Sequence, residues 1–381
     1  MNEIAWGCTL FAGLATLLHF SSALLAIYRA RRGADATAFT TAPPAGLPPI
    51  SVLRPVRGLD PYDELTLRSS FELAYERYEL ILCCADADDA IVPVIRRLIA
   101  EYPRVDAKLL VGQDTLTSNP KLNNLIKGWR AARHAWVVMA DSNVLMPRDY
   151  LQSLLAGWRA DTGLLCAPPI GCMPDGFWAE VECAFLNTYQ ARWQYAADTV
   201  GLGFAQGKTM LWRRSDLERA GGIGALGEEI AEDAAATKVV RRAGKRVRLV
   251  DRAFGQPLGT RSAQQIWSRQ VRWAKLRRAT FPMFFLPEVL SGSLAPLLAL
   301  AYAAEAADIS GVGAAMALGI AWYGCEAVLA RAAGWHIGAL SPLAWIARDL
   351  MLPALWVQAW LGNSFSWRGN DMHIADAVAS N

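Results

Sequence analysis

Two apolar runs in this 381-residue chain end in acid. Residues 78–84 (YELILCC) lead into Ala85-Asp86-Ala87-Asp88-Asp89, and residues 135–140 (AWVVMA) lead into Asp141-Ser142-Asn143. If both runs are parallel strands, their ends share one edge of a sheet, where open α/β folds bind ligands. One acidic cluster there can accept hydrogen bonds from the NH and OH groups of a nucleoside. The other can hold a divalent metal against a diphosphate through oxygen ligands. Each cluster alone also reads as local chemistry: Asp86, Asp88 and Asp89 as a cap and acidic first turn, Asp141 as a turn after a strand. At matching strand ends, the pair favours a nucleotide–metal site.

A third acid pair, Glu232-Asp233, opens a segment that reads as helix to about Arg242. A carboxylate at a helix start suits a cap, and it equally suits a general base facing a pocket. Further on, Arg269-Gln270-Val271-Arg272-Trp273 puts positions 269, 272 and 273 on one helical face. Two guanidiniums beside an indole suit a diphosphate and a molecule held against a ring. Lys275, Arg277 and Arg278 follow, so the segment also reads as a basic helix on a membrane surface. Gly207-Lys208-Thr209 mimics the end of a phosphate-binding loop. That loop needs glycine where Leu202 stands, so the ATP-loop reading is set aside. His19 and His134 lack partners at ligand spacing, and Trp129, Trp136 and Trp158 read as core.

To position these groups the chain needs an α/β frame. Residues 50–53, 78–84, 107–111 and 135–140 read as strands, and 91–102 and 119–133 as helices, the latter opened by Asn-Pro. The alternation predicts a mainly parallel sheet with helices on its faces. Apolar sequence lies on either side. Residues 4–28 carry His19 as their one basic side chain and are long enough, at roughly 1.5 Å per residue, to cross a hydrocarbon core about 30 Å thick. Arg29, Arg31 and Arg32 follow, the reverse of a signal peptide's charge order, which predicts an uncleaved anchor with Arg29 onward in the cytoplasm. Residues 284–307 and 312–330 are also long enough to span. Residues 342–361 are a weaker candidate because Arg348 and Asp349 lie inside, either buried between helices or at the membrane interface. Pro282, Pro287 and Pro296 predict a kinked or interfacial entry. The expected organisation is an anchor (1–32), a linker (33–49), a catalytic α/β domain (50–280), interfacial and transmembrane helices (281–363) and a tail (364–381).

Composition agrees with a membrane-embedded chain: 53% of residues are hydrophobic and 19% charged, against about 25% charged in soluble domains. A net charge of +3 is too weak a bias to argue for nucleic acid. The seven cysteines show no CxxC and no regular spacing, so neither a disulfide framework nor a zinc site has a pattern to stand on.

In chain order, these motifs resemble the inverting, membrane-bound glycosyltransferases of the GT-A fold, whose pattern is three aspartate sites followed by Q/R-x-x-R-W. The nearer match is the ceramide glucosyltransferase family. Residues 82–89 (LCCADADD) look like its first aspartate site, 118–125 (SNPKLNNL) its NPK-x-NN segment and 230–233 (IAED) its third site. Ser366-Trp367-Arg368 looks like its C-terminal tail.

The resemblance implies a GT-A α/β domain with a mainly parallel sheet, flanked by transmembrane helices. It implies a multi-pass protein of the bacterial inner membrane with the catalytic domain cytoplasmic. A UDP-sugar would meet Asp86, Asp88 or Asp89, with Asp89 foremost, together with Asn119, Lys121 and Asp141. Asp141, with Asn143, would coordinate Mg²⁺ or Mn²⁺. Asp233 would take the proton from the acceptor hydroxyl, and Arg269, Arg272 and Trp273 would close over the diphosphate and the acceptor.

The expected acceptor is a membrane lipid, ceramide first. A hopanoid receiving N-acetylglucosamine, or another lipid, is the alternative. A polysaccharide synthase ranks lower, because two or three spans after the domain are too few for a polymer channel. Intact acids at all three sites argue against a non-catalytic scaffold. Two departures stand out. Asn143 replaces a second aspartate, which costs the metal one charge. Gln190 stands near where eukaryotic relatives carry a histidine associated with acceptor or inhibitor contacts. The sugar stays open among glucose, glucuronic acid, galactose and N-acetylglucosamine.

Overall fold

The computed structural model describes residues 2–38, 46–112, 114–367 and 370–373. Part of the expected linker, and Arg368 of the expected tail motif, lie outside the described residues. The chain divides into two compact units.

One unit takes in residues 29–172 and 197–259. Its strands are β1 (Ile50–Val56), β2 (Tyr78–Cys84), β3 (Asp106–Val111), β4 (Trp136–Ala140), β5 (Thr162–Cys166), β6 (Pro169–Asp175), β7 (Thr209–Arg213), β8 (Arg246–Leu249) and β9 (Phe254–Thr260). Seven of them form one sheet in the order β3-β2-β1-β4-β7-β5-β8, while β6 and β9 pair separately. Within the large sheet every pairing is parallel except those of β7, which runs against both β4 and β5. The mainly parallel α/β sheet expected from the alternation is therefore present, with one reversed strand. Its central strands are apolar on both faces because both are covered. Ile50, Val52, Leu80, Leu82, Val138 and Ala140 belong to one core cluster. The alternate residues Leu53, Ile81, Val137 and Met139 are buried as well.

The other unit takes in residues 1–28, 173–196 and 260–374 and is built mainly from helices, with a short antiparallel pair, Ser364–Trp367 and Asn370–His373. The helix Glu3–Ala38 exposes Ile4, Leu10, Leu14, Leu17 and Leu24, and Gly311–Ala332 exposes Val312, Met316, Ile320 and Val328. Such apolar faces suit hydrocarbon, and both helices are long and apolar enough to cross a membrane. The expected kink is found: Pro282–Leu290 and Leu294–Glu305 meet at 47° and make a third crossing if taken as one broken span. In the helix Ser341–Trp360, Arg348 and Asp349 are buried between helices rather than at an interface. Arg348 Nη2 donates to Glu326 Oε1 at 2.8 Å and its Nε to Asp349 Oδ1 at 2.8 Å, so the buried charges are paired. His19, given no role from sequence, stacks on Trp322 with ring centroids 3.8 Å apart.

Candidate active site

Asp141 is the first residue beyond β4. Because β7 runs against β4, with Ala140 opposite Thr209, the start of β7 lies at the same sheet edge as the end of β4. Lys208, one residue before β7, therefore meets Asp141. Its Nζ stands 2.9 Å from Asp141 Oδ2 and donates to Asn143 Oδ1 at 3.0 Å. Lys121 comes from the first turn of the helix Pro120–Ala131. Its Nζ is 2.6 Å from Asp141 Oδ1 and 2.5 Å from Glu232 Oε1, and it donates to Gly207 O at 2.8 Å.

The segment Asn119-Pro120-Lys121-Leu122-Asn123-Asn124 owes its composition to this arrangement. Asn119 Oδ1 caps the helix by accepting from Leu122 N at 3.1 Å, while its Nδ2 donates to Glu232 Oε2 at 2.8 Å. Pro120 occupies the first helical position, where no NH is needed. Asn123 Oδ1 accepts from Thr117 N at 2.9 Å, and Asn124 Nδ2 donates to Cys83 O, at the end of β2, at 2.7 Å. The helix is thus pinned between β2 and the third acid pair, and Lys121 is aimed by its neighbours.

Glu232 and Asp233 open the helix Glu232–Arg242. Asp233 accepts from Gly207 N at 3.1 Å on Oδ2 and from Ala234 N at 2.8 Å on Oδ1. A Cβ at Gly207 would lie 2.7 Å from Glu232 Oε1, so the Glu232 carboxylate would have to move away from its partners to admit one. The charges divide the two acids sharply. Burial opposes the ionised form of Asp141, but Lys121 and Lys208 outweigh it and hold the carboxyl well below the usual range. Burial likewise works against the Lys121 ammonium, and Asp141 with Glu232 overcomes it and raises its pKa. Asp233 is pushed the other way, up to about 6, by burial first and the Glu232 carboxylate second. Two nearby carboxyls with pKa values driven apart are candidates for separate roles.

Arg54 underlies the site, and the sequence reading passed over it. It is fully buried within β1. Its Nη2 donates to Asp141 O at 2.9 Å, Ser142 O at 2.7 Å and Val144 O at 2.9 Å, which fixes the loop carrying Asp141. Burial lowers its pKa to about 10, so it stays charged at neutral pH. An arginine inside an otherwise apolar strand was the available signal, since arginine is rarely buried without a partner. Lys208 was missed for a different reason. It was weighed only as part of a phosphate loop, and its value comes from the reversed β7.

At the end of β2, Asp86 and Asp88 are exposed, and Asp86 Oδ1 accepts from Asp88 N at 3.0 Å. Asp89 accepts from Gly58 N at 2.9 Å and from Ile91 N at 3.0 Å, which ties a loop to the start of the helix Ile91–Glu101. Asp89 thus braces the loop just ahead of that helix, whose N-cap position is Ala90. In the helical unit, Arg269, Arg272 and Trp273 lie on the helix Ala263–Thr280, which opens with a capping box at Ser262 and Gln265. Arg269 pairs with the buried Glu182, whose other oxygen is 3.4 Å from Arg261 Nε, and its guanidinium lies 6.0 Å from the Trp273 ring centroid.

The family described as Glycosyl transferase family 21 matches residues 14–379, and the chain belongs to it. It is accordingly a sugar-transferring enzyme, and with its apolar helices a membrane protein. Among its relatives is "Ceramide glucosyltransferase 3" of Caenorhabditis elegans, 27% identical over 340 residues, 87% of this chain and 74% of the relative. "Ceramide glucosyltransferase 1" of the same organism is 25% identical over 97% of this chain and 79% of its own length. The ceramide glucosyltransferase of Komagataella phaffii is 40% identical over 99 residues, 25% of this chain and 19% of its own. Among solved structures, the mannosyltransferase PcManGT from Pyrobaculum calidifontis in complex with GDP-Man and Mn²⁺ aligns at 20% identity, 93% coverage of this chain, 98% of that chain and a TM-score of 0.47.

Proposed function

We propose that this enzyme transfers glucose from UDP-glucose to the hydroxyl of ceramide, with inversion at the anomeric carbon. The observation that carries the chemistry is Asp233, a carboxyl held near neutrality beside the edge that presents Asp141. The relatives named as ceramide glucosyltransferases, aligned over 87% and 97% of this chain, support the acceptor and the sugar. In this reading ionised Asp233 accepts the acceptor hydroxyl's proton. The oxygen attacks the anomeric carbon opposite the diphosphate, the bond from that carbon to the UDP oxygen breaks, and UDP leaves with the electron pair.

Asp86 and Asp88 are assigned to the nucleoside, while Asp89 holds their loop through Gly58 and Ile91. Lys121 and Lys208 face the diphosphate charge. Arg272 and Trp273 are assigned to the leaving group and the acceptor, with Arg269 held by Glu182.

A divalent cation, Mg²⁺ or Mn²⁺, fits the donor chemistry at Asp141. Asp141 is largely buried and anionic, and its two oxygens now face the ammonium groups of Lys121 at 2.6 Å and Lys208 at 2.9 Å, which a cation would have to displace. Asn143 Oδ1 is the second oxygen donor. When bound, the ion would neutralise developing charge on the diphosphate. The catalytic unit is assigned to the cytoplasmic face of a bacterial inner membrane, from the arginines after the first apolar segment.

Lipid mass spectrometry after expression in a ceramide-containing host tests the proposal. A new hexosylceramide is expected. Sugar added only to another lipid would overturn the acceptor, and no sugar added to any lipid would overturn the proposal.

A further inference from the structure

We propose that Lys208 is an exchangeable counter-ion, a reading that rests on the donor site proposed above: its ammonium holds the oxygens of Asp141 and Asn143 until a nucleoside diphosphate and a divalent cation arrive together, and then passes to the diphosphate. Lys208 Nζ stands 2.9 Å from Asp141 Oδ2 and donates to Asn143 Oδ1 at 3.0 Å. Those are the two residues assigned to the cation, so ammonium and cation compete for the same oxygens. Lys121 is held differently. Besides its contact with Asp141 Oδ1 it has Glu232 Oε1 at 2.5 Å and Gly207 O at 2.8 Å, and these two keep it in place whatever happens at Asp141.

The charge balance gives the reason for an exchange. Lys121 and Lys208 already neutralise Asp141 and Glu232, and the buried Arg54 guanidinium bonds the Asp141 carbonyl from beneath. A divalent ion arriving alone would bring two more positive charges to a cluster whose remaining carboxyl is Asp233, and uncompensated charge in a buried place is costly. A diphosphate arriving alone would meet two lysines already engaged with carboxylates. Together, cation and diphosphate bring opposite charges that balance. The Lys208 side chain is partly exposed and long enough to swing. Its ammonium gives up one anionic partner for another and keeps a charge-assisted hydrogen bond in both states. Cation and diphosphate must therefore tighten one another, and by the same factor.

The test uses the full-length protein in nanodiscs of zwitterionic lipid, with Mn²⁺ followed by electron paramagnetic resonance and UDP by calorimetry. Lys208→Met should bind Mn²⁺ alone about tenfold more tightly than the parent, because a competitor for Asp141 and Asn143 is gone. With Mn²⁺ saturating, it should bind UDP about tenfold more weakly, because the ammonium that passes to the diphosphate is gone. The product of the two affinities should hardly change, since the parent only trades one anion for another. Lys208→Arg, which keeps the charge, should behave as the parent does. Lys208→Gln, which keeps a donor without the charge, should follow Lys208→Met and decides the matter if the methionine variant fails to fold. An unchanged Mn²⁺ affinity would mean that the lysine does not hold the cation's oxygens. An unchanged UDP affinity would mean that the displaced lysine does not reach the diphosphate. Either result overturns the proposal. No acceptor takes part, so both effects in a protein that glucosylates no ceramide would keep the exchange and overturn the transfer reading, while their absence in one that does would overturn the exchange alone.

Discussion

Replacing Asp233 with asparagine removes the proposed proton acceptor and keeps the side-chain shape. The consequences follow from the two NH donors and the burial around it. The ordinary carboxyl value of 3.8 is raised to about 6 in the folded protein. The folded state therefore holds this proton more tightly than the unfolded chain does. The charge destabilises the fold in full above about pH 6, and the penalty fades as pH falls from there toward the unfolded value. A difference of about 2 pH units corresponds to about 3 kcal/mol at neutral pH. Asparagine removes that penalty. It has one acceptor oxygen for the NH groups of Gly207 and Ala234, so one donor is left facing an NH₂ group at a cost of about 1–3 kcal/mol. The two terms nearly cancel, and Asp233→Asn should melt close to the parent at neutral pH. Turnover should fall by about 10² to 10⁴, the usual worth of general-base assistance. The parent kcat should rise with pH through about 6, and the variant should lack that limb. Release of UDP gives the rate, differential scanning fluorimetry the Tm, and calorimetry the UDP-glucose affinity, which should hold. A stable, nucleotide-binding and fully active Asp233→Asn protein refutes the assignment, and so does a parent profile flat across about pH 5 to about pH 8. Glu232 would then be the next candidate.

Lys121→Met leaves Asp141 and Glu232 without the ammonium they share. It should cost about 3–5 kcal/mol of stability, read as a large fall in Tm; a small one would mean the cluster relaxes without it. Gly207→Ala places a methyl 2.7 Å from Glu232 Oε1 and 3.2 Å from Lys121 Nζ. A strain of about 1–3 kcal/mol should lower Tm and reduce kcat about tenfold or more, whereas an unchanged kcat would show that the acids need not hold this spacing. Chelation should abolish transfer, and Asp141→Asn should weaken the response to added Mg²⁺ or Mn²⁺. Full turnover in excess chelator would remove the metal from the mechanism.

Much of the frame was legible because it rests on local patterns. Short, largely apolar runs such as 78–84 and 135–140, bounded by turn residues, read as strands covered on both faces, and acids at their ends point to one edge of the sheet. The apolar runs 4–28 and 312–330 were legible by length, and the bend after Pro282 by its prolines. The motif order alone was enough to identify the family. The site itself was less legible, because its residues serve one another across long stretches of sequence. Gly207-Lys208 made no sense as a phosphate loop and became a partner of Asp141 only because β7 enters the sheet reversed. A strand's direction leaves no trace in its apolar pattern, so no reading of 209–213 could have given it.

The bonds that aim the candidate catalytic groups were equally hidden. Arg54 appears in the sequence as an oddity in an apolar strand, and only the folded chain gives it the carbonyls of Asp141, Ser142 and Val144. Which acids, lysines and arginines are available, and which elements carry them, could be read from the chain alone. Their charge states follow from the folded arrangement. Asp141 and Asp233 are the same residue type with the same intrinsic acidity. One is driven down by two ammonium groups and the other up by burial and a neighbouring carboxylate. Such shifts depend on burial and on distances of a few ångströms between groups such as Asp141 and Lys208, which the fold brings together, and the sequence does not encode those locally.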